Sequence, residues 1–156
     1  MEVVILAAGK GTRMNSSTPK VLHSIGGKPM LSHAIDAVTE LESNMIHVVV
    51  GYGAELIERY CEDNVVEASL NFVTQAEQLG TGHAVQQAIP SLTSIDDSNI
   101  VLILYGDVPL IQADTLEALL NKASANSIAL LTAFTEDPAG LGRILRDGTG
   151  EVLAIV

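Results

Sequence analysis

Two basic side chains follow a loop near the start of the chain that is rich in glycine and alanine. Residues 6–14 read LAAGKGTRM, so Arg13 closes the loop, and Lys20 comes soon after it. Backbone amides exposed by such a loop can donate to phosphate oxygens. Arginine and lysine neutralise phosphate charge, arginine through a planar fork and lysine as a compact point charge. The segment therefore predicts a site for a compact polyanion such as a nucleoside triphosphate.

The charge distribution favours the same interpretation. The first 28 residues hold four basic side chains and one acidic one, whereas the other 128 hold four basic and eighteen acidic. A net charge of −11 argues against a surface for long nucleic acids, which need clustered lysine and arginine. A small cationic pocket on an acidic body suits a short polyanion. From charge alone, an ordinary solvated loop is an equal alternative.

Two common phosphate-binding patterns do not fit the loop. The G-x-x-x-x-G-K-[ST] spacing of a Walker A loop is missing, and Met14 occupies the third glycine position of the dinucleotide fingerprint.

Asp107 is the candidate metal ligand. It follows the apolar run of residues 100–104, and Mg²⁺ prefers one or two carboxylates together with substrate phosphates. The alternative makes Asp107 a turn or capping residue. The four histidines are spread singly without zinc-type spacing. The single cysteine, Cys61, suits the buried face of a helix and a structural role.

Short apolar runs alternate with segments of helical periodicity along the chain. This alternation predicts an α/β protein with a mainly parallel sheet and helices on both faces. A terminal hairpin is expected around the glycine turn at residues 147–150. The predicted strands are residues 3–7, 46–50, 70–74, 100–104 and 128–134, and the predicted helices are 29–41, 54–61, 82–88 and 113–124.

Length and composition predict one domain. With 156 residues and 47% hydrophobic content, the chain can bury a substantial core. Its longest apolar runs are far shorter than the roughly 20 residues that cross a bilayer, so no membrane span is expected. The start of the sequence shows no secretory signal pattern, which predicts a cytoplasmic protein.

Ligands of open α/β sheets bind beyond the carboxyl ends of the strands, where the strand order reverses. Three segments follow predicted strands and carry most of the unusual residues. They are residues 8–20, 75–82 and 105–109.

Those segments resemble the nucleotidyltransferases that activate sugar 1-phosphates, and most closely the bacterial N-acetylglucosamine-1-phosphate uridylyltransferases. The matching stretches are residues 6–14 with Pro19 and Lys20, 75–84 (QAEQLGTGHA), 105–110 (YGDVPL) and 140–144 (GLGRI). The resemblance implies a Rossmann-like, three-layer α/β/α nucleotide-diphospho-sugar transferase fold. It also implies Mg²⁺-dependent transfer of a uridylyl group from UTP to N-acetylglucosamine 1-phosphate, a step in peptidoglycan synthesis.

The resemblance also assigns roles residue by residue. Arg13 and Lys20 would neutralise phosphates, Asp107 would bind Mg²⁺, and Tyr105 and Gly142 would line the sugar side. The residues that would hold the uridine nucleotide are Leu6, Ala8, Gly9, Gln75, Gly80 and Thr81, with Gln75 reading the uracil edge. For Lys28, His83 and Arg143, structural or solvated roles are expected as readily as functional ones.

Two departures from the family qualify this assignment. Leu141 replaces the tyrosine that the family usually has between the two glycines. The sequence ends at Val156, ahead of the segment that supplies a further acidic residue and asparagines, and it lacks the acetyltransferase β-helix domain that drives trimerisation. We therefore expect a truncated nucleotidyltransferase domain with weak or no turnover, monomeric or dimeric through an exposed strand edge. The alternatives are a nucleotidyltransferase of the GTP/molybdopterin or CTP type and a non-catalytic nucleotide-binding module.

Overall fold

The computed structural model describes residues 1–41, 45–93, 99–124 and 127–156. The strands, in chain order, are β1 (Glu2–Leu6), β2 (Ser24–Ile25), β3 (Lys28–Pro29), β4 (Ile46–Val50), β5 (Leu70–Thr74), β6 (Val101–Tyr105), β7 (Ile144–Arg146) and β8 (Val152–Ile155). The helices are α1 (Met30–Thr39), α2 (Ala54–Asn64), α3 (Thr81–Ala88) and α4 (Ala113–Leu120). Short 3₁₀ turns cover Thr12–Met14, Lys20–Leu22 and Ile89–Ser91.

A parallel sheet with the order β5-β4-β1-β6 forms the centre of the fold. All five residues of β4 are buried, as expected of a strand covered on both faces. The predicted parallel sheet is therefore confirmed.

Alternate residues of β1 enter two separate hydrophobic clusters, one on each face of the sheet. Val3 and Ile5 point to the larger cluster, whereas Val4 joins the smaller one with Ala8. The larger cluster takes Leu31 and Ile35 from α1, Ile57 and Cys61 from α2, and Leu116 from α4, whereas the smaller takes Ala84 and Ala88 from α3. Helices thus cover both faces, which confirms the predicted three-layer architecture, and Cys61 is buried as expected.

A buried polar network closes the amino-terminal end of the sheet. His47 Nε2 lies 3.0 Å from Glu2 Oε2, and the other ring nitrogen lies 3.0 Å from Asn71 Nδ2. The Glu2 carboxylate also accepts hydrogen bonds from the backbone and hydroxyl of Thr93. These polar groups satisfy one another and leave the opposite, carboxyl end of the sheet for ligands.

The predicted strand at residues 128–134 is wrong. The segment has no strand structure, and Ile128, Leu131 and Phe134 are exposed. A groove of about 710 Å³ is lined by β6, α4 and residues 127–131. The segment therefore runs beside β6 without pairing to it, and an apolar pattern alone does not form a strand when no neighbour takes up its hydrogen bonds.

The terminal hairpin is confirmed, since β7 and β8 pair antiparallel around the turn. Among the described residues the hairpin makes no hydrogen bond to the central sheet. No helix in the described ranges has the length and apolar character needed to cross a bilayer.

Candidate functional site

Backbone hydrogen bonds tie together the carboxyl ends of the four parallel strands. They run from Gly106 N–H to Leu6 O (3.0 Å), from Ala7 N–H to Val49 O (2.8 Å) and from Gln75 N–H to Val50 O (2.7 Å). The three segments that were predicted to carry the chemistry therefore start side by side along one edge.

The strand order reverses between β1 and β6. From β1 the chain proceeds outward through β4 and β5 on one side, and then returns to place β6 on the other side. Loops that leave neighbouring strands in opposite directions open a crevice at that point, where α/β proteins bind ligands. The loop after β1 and the loop after β6 flank the point where this rule expects the crevice.

An ion pair between Lys20 and Asp107 joins those two loops. Both side chains are partly open to solvent, 40% for Lys20 and 28% for Asp107. The structure therefore brings together the predicted phosphate-binding cation and the predicted metal ligand, and it leaves both accessible from the crevice.

The position of Lys20 depends on two close backbone approaches. Gly11 has a left-handed conformation (φ +60°), and a Cβ added there would lie 2.8 Å from Lys20 Cβ. Pro19 lies against Gly53 so tightly that an added Cβ would stand 2.4 Å from the proline ring. Glycine is needed at both positions for the loop to place Lys20 beside Asp107.

Arg13 lies in the same loop but is not in contact with the ion pair. It sits exposed in the 3₁₀ turn Thr12–Met14, and it forms no ion pair within the described ranges. The loop is tied instead to Tyr52, whose amide donates to Ala8 O and whose ring lies 5.5 Å from Lys10 Nζ. Arg13 is thus exposed on the loop that follows β1, and its role with phosphates stays a prediction.

Asp107 fits a metal site that is completed by a substrate. The parts of the chain that are described contain no group of three or more histidine, cysteine, aspartate or glutamate side chains that could enclose an ion. A single accessible carboxylate next to a loop that is predicted to bind phosphate is compatible with the way in which Mg²⁺ binds through one or two carboxylates and phosphates.

Gln75 lies at the far end of the edge and is buried, with only 4% of its surface exposed. Its side-chain nitrogen donates to Gly80 O at 3.1 Å and lies 3.0 Å from His83 Nδ1. His83 in turn contacts the side chain of Gln87, one helical turn later. Sequence reasoning left the role of His83 open, although its place in the motif three residues after Gly80 marked it as close to the site.

The other residues assigned to the nucleotide lie along the same edge. Leu6 is the last residue of β1, and Gly9 is exposed, with no atom within 4 Å of a Cβ built on it. Gly80 and Thr81 form the amino-terminal end of α3. The backbone near Gly9 therefore has room for a ligand to approach closely.

The structure brings only one of the two residues assigned to the sugar to this edge. Tyr105 ends β6 beside Leu6 and is half exposed. Gly142 belongs to the hairpin region, where a Cβ built on it would stand 3.4 Å from Ile155. The roles of Tyr105 and Gly142 on the sugar side stay predictions.

Comparison with known proteins gives consistent results. The sequence pattern of the MobA-like NTP transferase domain matches residues 3–148. The bifunctional protein GlmU of Pseudomonas aeruginosa is 57% identical over 157 aligned positions, which cover 100% of this chain and 33% of GlmU. The chain thus spans about a third of the length of the curated relatives it matches.

Solved structures share the fold at lower identity. HddC from Yersinia pseudotuberculosis, complexed with GMP-PN, superposes with a TM-score of 0.68 at 24% identity, covering 99% of this chain and 68% of HddC. The 4-diphosphocytidyl-2C-methyl-D-erythritol synthase of Anaerococcus prevotii gives 0.67 at 18% identity, covering 97% and 61% respectively.

Proposed function

Because the chain belongs to the family of MobA-like NTP transferase domains, we propose that it carries the uridylyl-transfer site of a bacterial N-acetylglucosamine-1-phosphate uridylyltransferase. The reaction joins UTP and N-acetylglucosamine 1-phosphate to give UDP-N-acetylglucosamine, a precursor of peptidoglycan, and pyrophosphate. The observation that carries this proposal is the Lys20–Asp107 pair at the reversal point of the sheet, beside the glycine-rich loop. Identity of 57% to GlmU along the whole chain supports it.

The reaction needs no general base. The second pKa of a sugar phosphate lies near 6, so its oxygen is already anionic at neutral pH. That oxygen attacks the α-phosphorus of UTP in line with the bond to the leaving group. A new phosphorus–oxygen bond forms as the bond to the β-phosphate oxygen breaks, and pyrophosphate leaves with the electron pair.

Lys20 and Arg13 stabilise the charge that builds up during this transfer. Lys20 is held at the crevice by Asp107 on one side and by the close packing at Gly11 on the other. Preorganised cations lower the barrier because they need not be reoriented as the charge develops. Backbone amides near Gly9 can add hydrogen bonds to phosphate oxygens.

Asp107 is the residue that would hold the divalent cation, which we propose is Mg²⁺. When bound between a carboxylate and phosphates, such an ion supplies charge neutralisation and orientation of the triphosphate. Asp107 keeps its carboxylate next to Lys20, so the metal and the lysine would act on the same phosphates.

The base and the sugar lie on opposite sides of the crevice in this proposal. Gln75, Gly80 and Thr81 would hold the uridine beside α3. Tyr105 and Gly142 would line the sugar pocket, with Leu141 in place of the usual tyrosine.

The proposed activity concerns a chain that spans a third of its relatives. We therefore propose weak or no turnover by these residues alone, and a monomer or dimer instead of the trimer of the full-length family. The reaction would take place in the cytoplasm, where cysteines are kept reduced and an unpaired thiol such as Cys61 is usual.

A pyrophosphate-release assay with UTP, Mg²⁺ and N-acetylglucosamine 1-phosphate, together with nucleotide titrations, tests the proposal. We expect Mg²⁺-dependent binding of UTP in preference to GTP and CTP, with turnover well below that of a full-length relative. Preference for GTP or CTP would contradict the assigned reaction. UTP binding without pyrophosphate release, even when the remaining part of a relative's domain is supplied in trans, would favour a non-catalytic nucleotide-binding module.

A further inference from the structure

The side-chain amide of Gln75 is held by two partners on its nitrogen side. One N–H of Nε2 points to Gly80 O and the other to His83 Nδ1. These two contacts use both hydrogens of the amide group. They leave the carbonyl oxygen, Oε1, without a partner in the described part of the chain.

That oxygen is not sealed inside the protein. Within the described ranges, one fully buried side-chain nitrogen or oxygen has no hydrogen-bond partner, and that atom is His23 Nε2. Since Gln75 Oε1 lacks a partner and is not such a buried atom, the small exposed part of Gln75 includes its carbonyl oxygen. An otherwise buried glutamine thus offers a single acceptor at the protein surface, at the carboxyl end of β5.

The surroundings also decide which way round the amide lies. A backbone carbonyl only accepts hydrogen bonds, so the nitrogen end of Gln75 must face Gly80. His83 Nδ1 then has to accept the second hydrogen. A neutral imidazole accepts at one nitrogen only, so the ring proton sits on Nε2. The structure places the nitrogen of the Gln87 amide 3.1 Å from His83 Nε2 and 3.3 Å from His83 O, so this tautomer requires the Gln87 amide to turn over and present its oxygen. Gln87 is less buried than Gln75, which makes it the amide that can turn.

We propose that His83 is a positioning residue that selects uracil by holding Gln75 Oε1 toward the base. This inference rests on the proposed function and names the residue that sets base choice at that site. Uracil carries a hydrogen on N3 that Gln75 Oε1 can accept. Cytosine has an acceptor at N3, so the two lone pairs would face each other.

Gln75 cannot rotate freely to suit cytosine. Turning the amide over would place Oε1 against two acceptors, Gly80 O and His83 Nδ1. A polar group left unpaired or opposed in a buried position costs enough to change a binding ratio about tenfold or more. His83 and Gly80 together therefore fix the orientation of the Gln75 side-chain amide.

The test compares the ratio of UTP to CTP affinity, measured by isothermal titration of the whole chain with Mg²⁺, in two variants. His83→Ala removes the acceptor, and we expect the ratio to fall about tenfold through weaker UTP binding. His83→Asn keeps an oxygen near the position of Nδ1 and should retain most of the wild-type ratio. A residue with a merely structural role would weaken both nucleotides alike, so an unchanged ratio in His83→Ala would overturn the inference.

A second measurement needs no substitution and so does not depend on whether the variants fold. Nitrogen-15 spectra of the wild-type imidazole at neutral pH should show His83 protonated on Nε2 and unprotonated on Nδ1. The opposite tautomer would also overturn the inference. If the wild-type chain does not prefer UTP to CTP, the base assignment of the proposed function fails, whereas the tautomer still reports on the contact between His83 and Gln75.

Discussion

Lys20 Nζ donates a hydrogen bond to the carboxylate of Asp107, although the two residues are 87 positions apart in the chain. The contact joins the loop after β1 to the loop after β6 across the reversal point of the sheet. A cation and a carboxylate are thereby held ready at the same point, each with part of its side chain open to solvent.

Replacing Asp107 with asparagine should uncouple nucleotide binding from the metal. Partly exposed ion pairs contribute at most about 1 kcal/mol to the free energy of unfolding, so the melting temperature should change little. We expect the Mg²⁺-dependent gain in UTP affinity, measured by titration with and without the ion, to fall by about tenfold or more because the carboxylate ligand is lost.

Asp36→Asn is the matched control, because Asp36 on α1 also forms an ion pair, with Lys28 on β3. UTP affinity should be unaffected there. Equal losses in the two variants would mean that the effect comes from net charge and not from the site.

Gly11→Ala should weaken UTP binding through a displacement of Lys20. The added methyl group would lie 2.8 Å from Lys20 Cβ, on a residue with φ +60°. Gly26 has nearly the same φ, +62°, and no atom lies within 4 Å of the place that its added methyl group would take. Both substitutions should cost roughly 1–2 kcal/mol of backbone strain, measured by urea unfolding.

Only Gly11→Ala should also lower UTP affinity in the titration. If Gly26→Ala lowered the affinity equally, general strain would account for the loss, and the close packing on Lys20 would not.

The thiol of Cys61 should be protected in the folded protein. Burial raises the pKa of Cys61 from 9.0 to about 11, and the thiolate is the reactive form. We expect reaction with a chromogenic disulfide reagent to be slow in buffer and fast in urea. Rapid reaction under native conditions would contradict the buried position of Cys61 on α2.

The same shift predicts a pH dependence. The folded thiol holds its proton to a higher pH than the unfolded one, so its contribution to stability is complete below about pH 9 and is lost as the pH rises toward 11. The difference in unfolding free energy between wild type and Cys61→Val, followed across this range, should show that decline. A difference that is constant with pH would argue against it.

The free edge of β6 should make the chain prone to self-association. In the described part of the chain β6 pairs with β1 alone, and Ile103 on this strand is 44% exposed. A charged residue on a free edge opposes pairing with another chain, so Ile103→Lys should lower light scattering at high protein concentration. Ile89→Lys, at a position 43% exposed but outside any strand, is the control. Equal reductions in both variants would point to general hydrophobicity instead of the strand edge.

Sequence patterns located the central sheet well because its two middle strands, β1 and β4, are largely apolar on both faces. The runs that end at Leu6 and Val50 keep this pattern whatever their neighbours are. Residues 128–134 have a similar composition, but whether they form a strand depends on a partner beside them, which local composition does not report.

In α/β sheets, ligands bind beyond the carboxyl ends of the strands. From this rule alone, Lys20 and Asp107 are predicted to lie on the same side of the molecule. Their direct contact could not be predicted, because it depends on the path of a loop past Gly11 and Gly53. The contact of His83 with Gln75 was hidden for a similar reason, since it follows from the rotation of α3 about its own axis.

The frame of the site is joined by main-chain atoms at Leu6, Val49 and Val50, which almost any amino acid can supply. Side chains in the flanking loops can therefore be exchanged without shifting the strands that carry them. For protein engineering, this separates two tasks. Altered nucleoside preference should be sought by substitutions in residues 75–83. Lys20, Asp107 and the residues around them should be left unchanged.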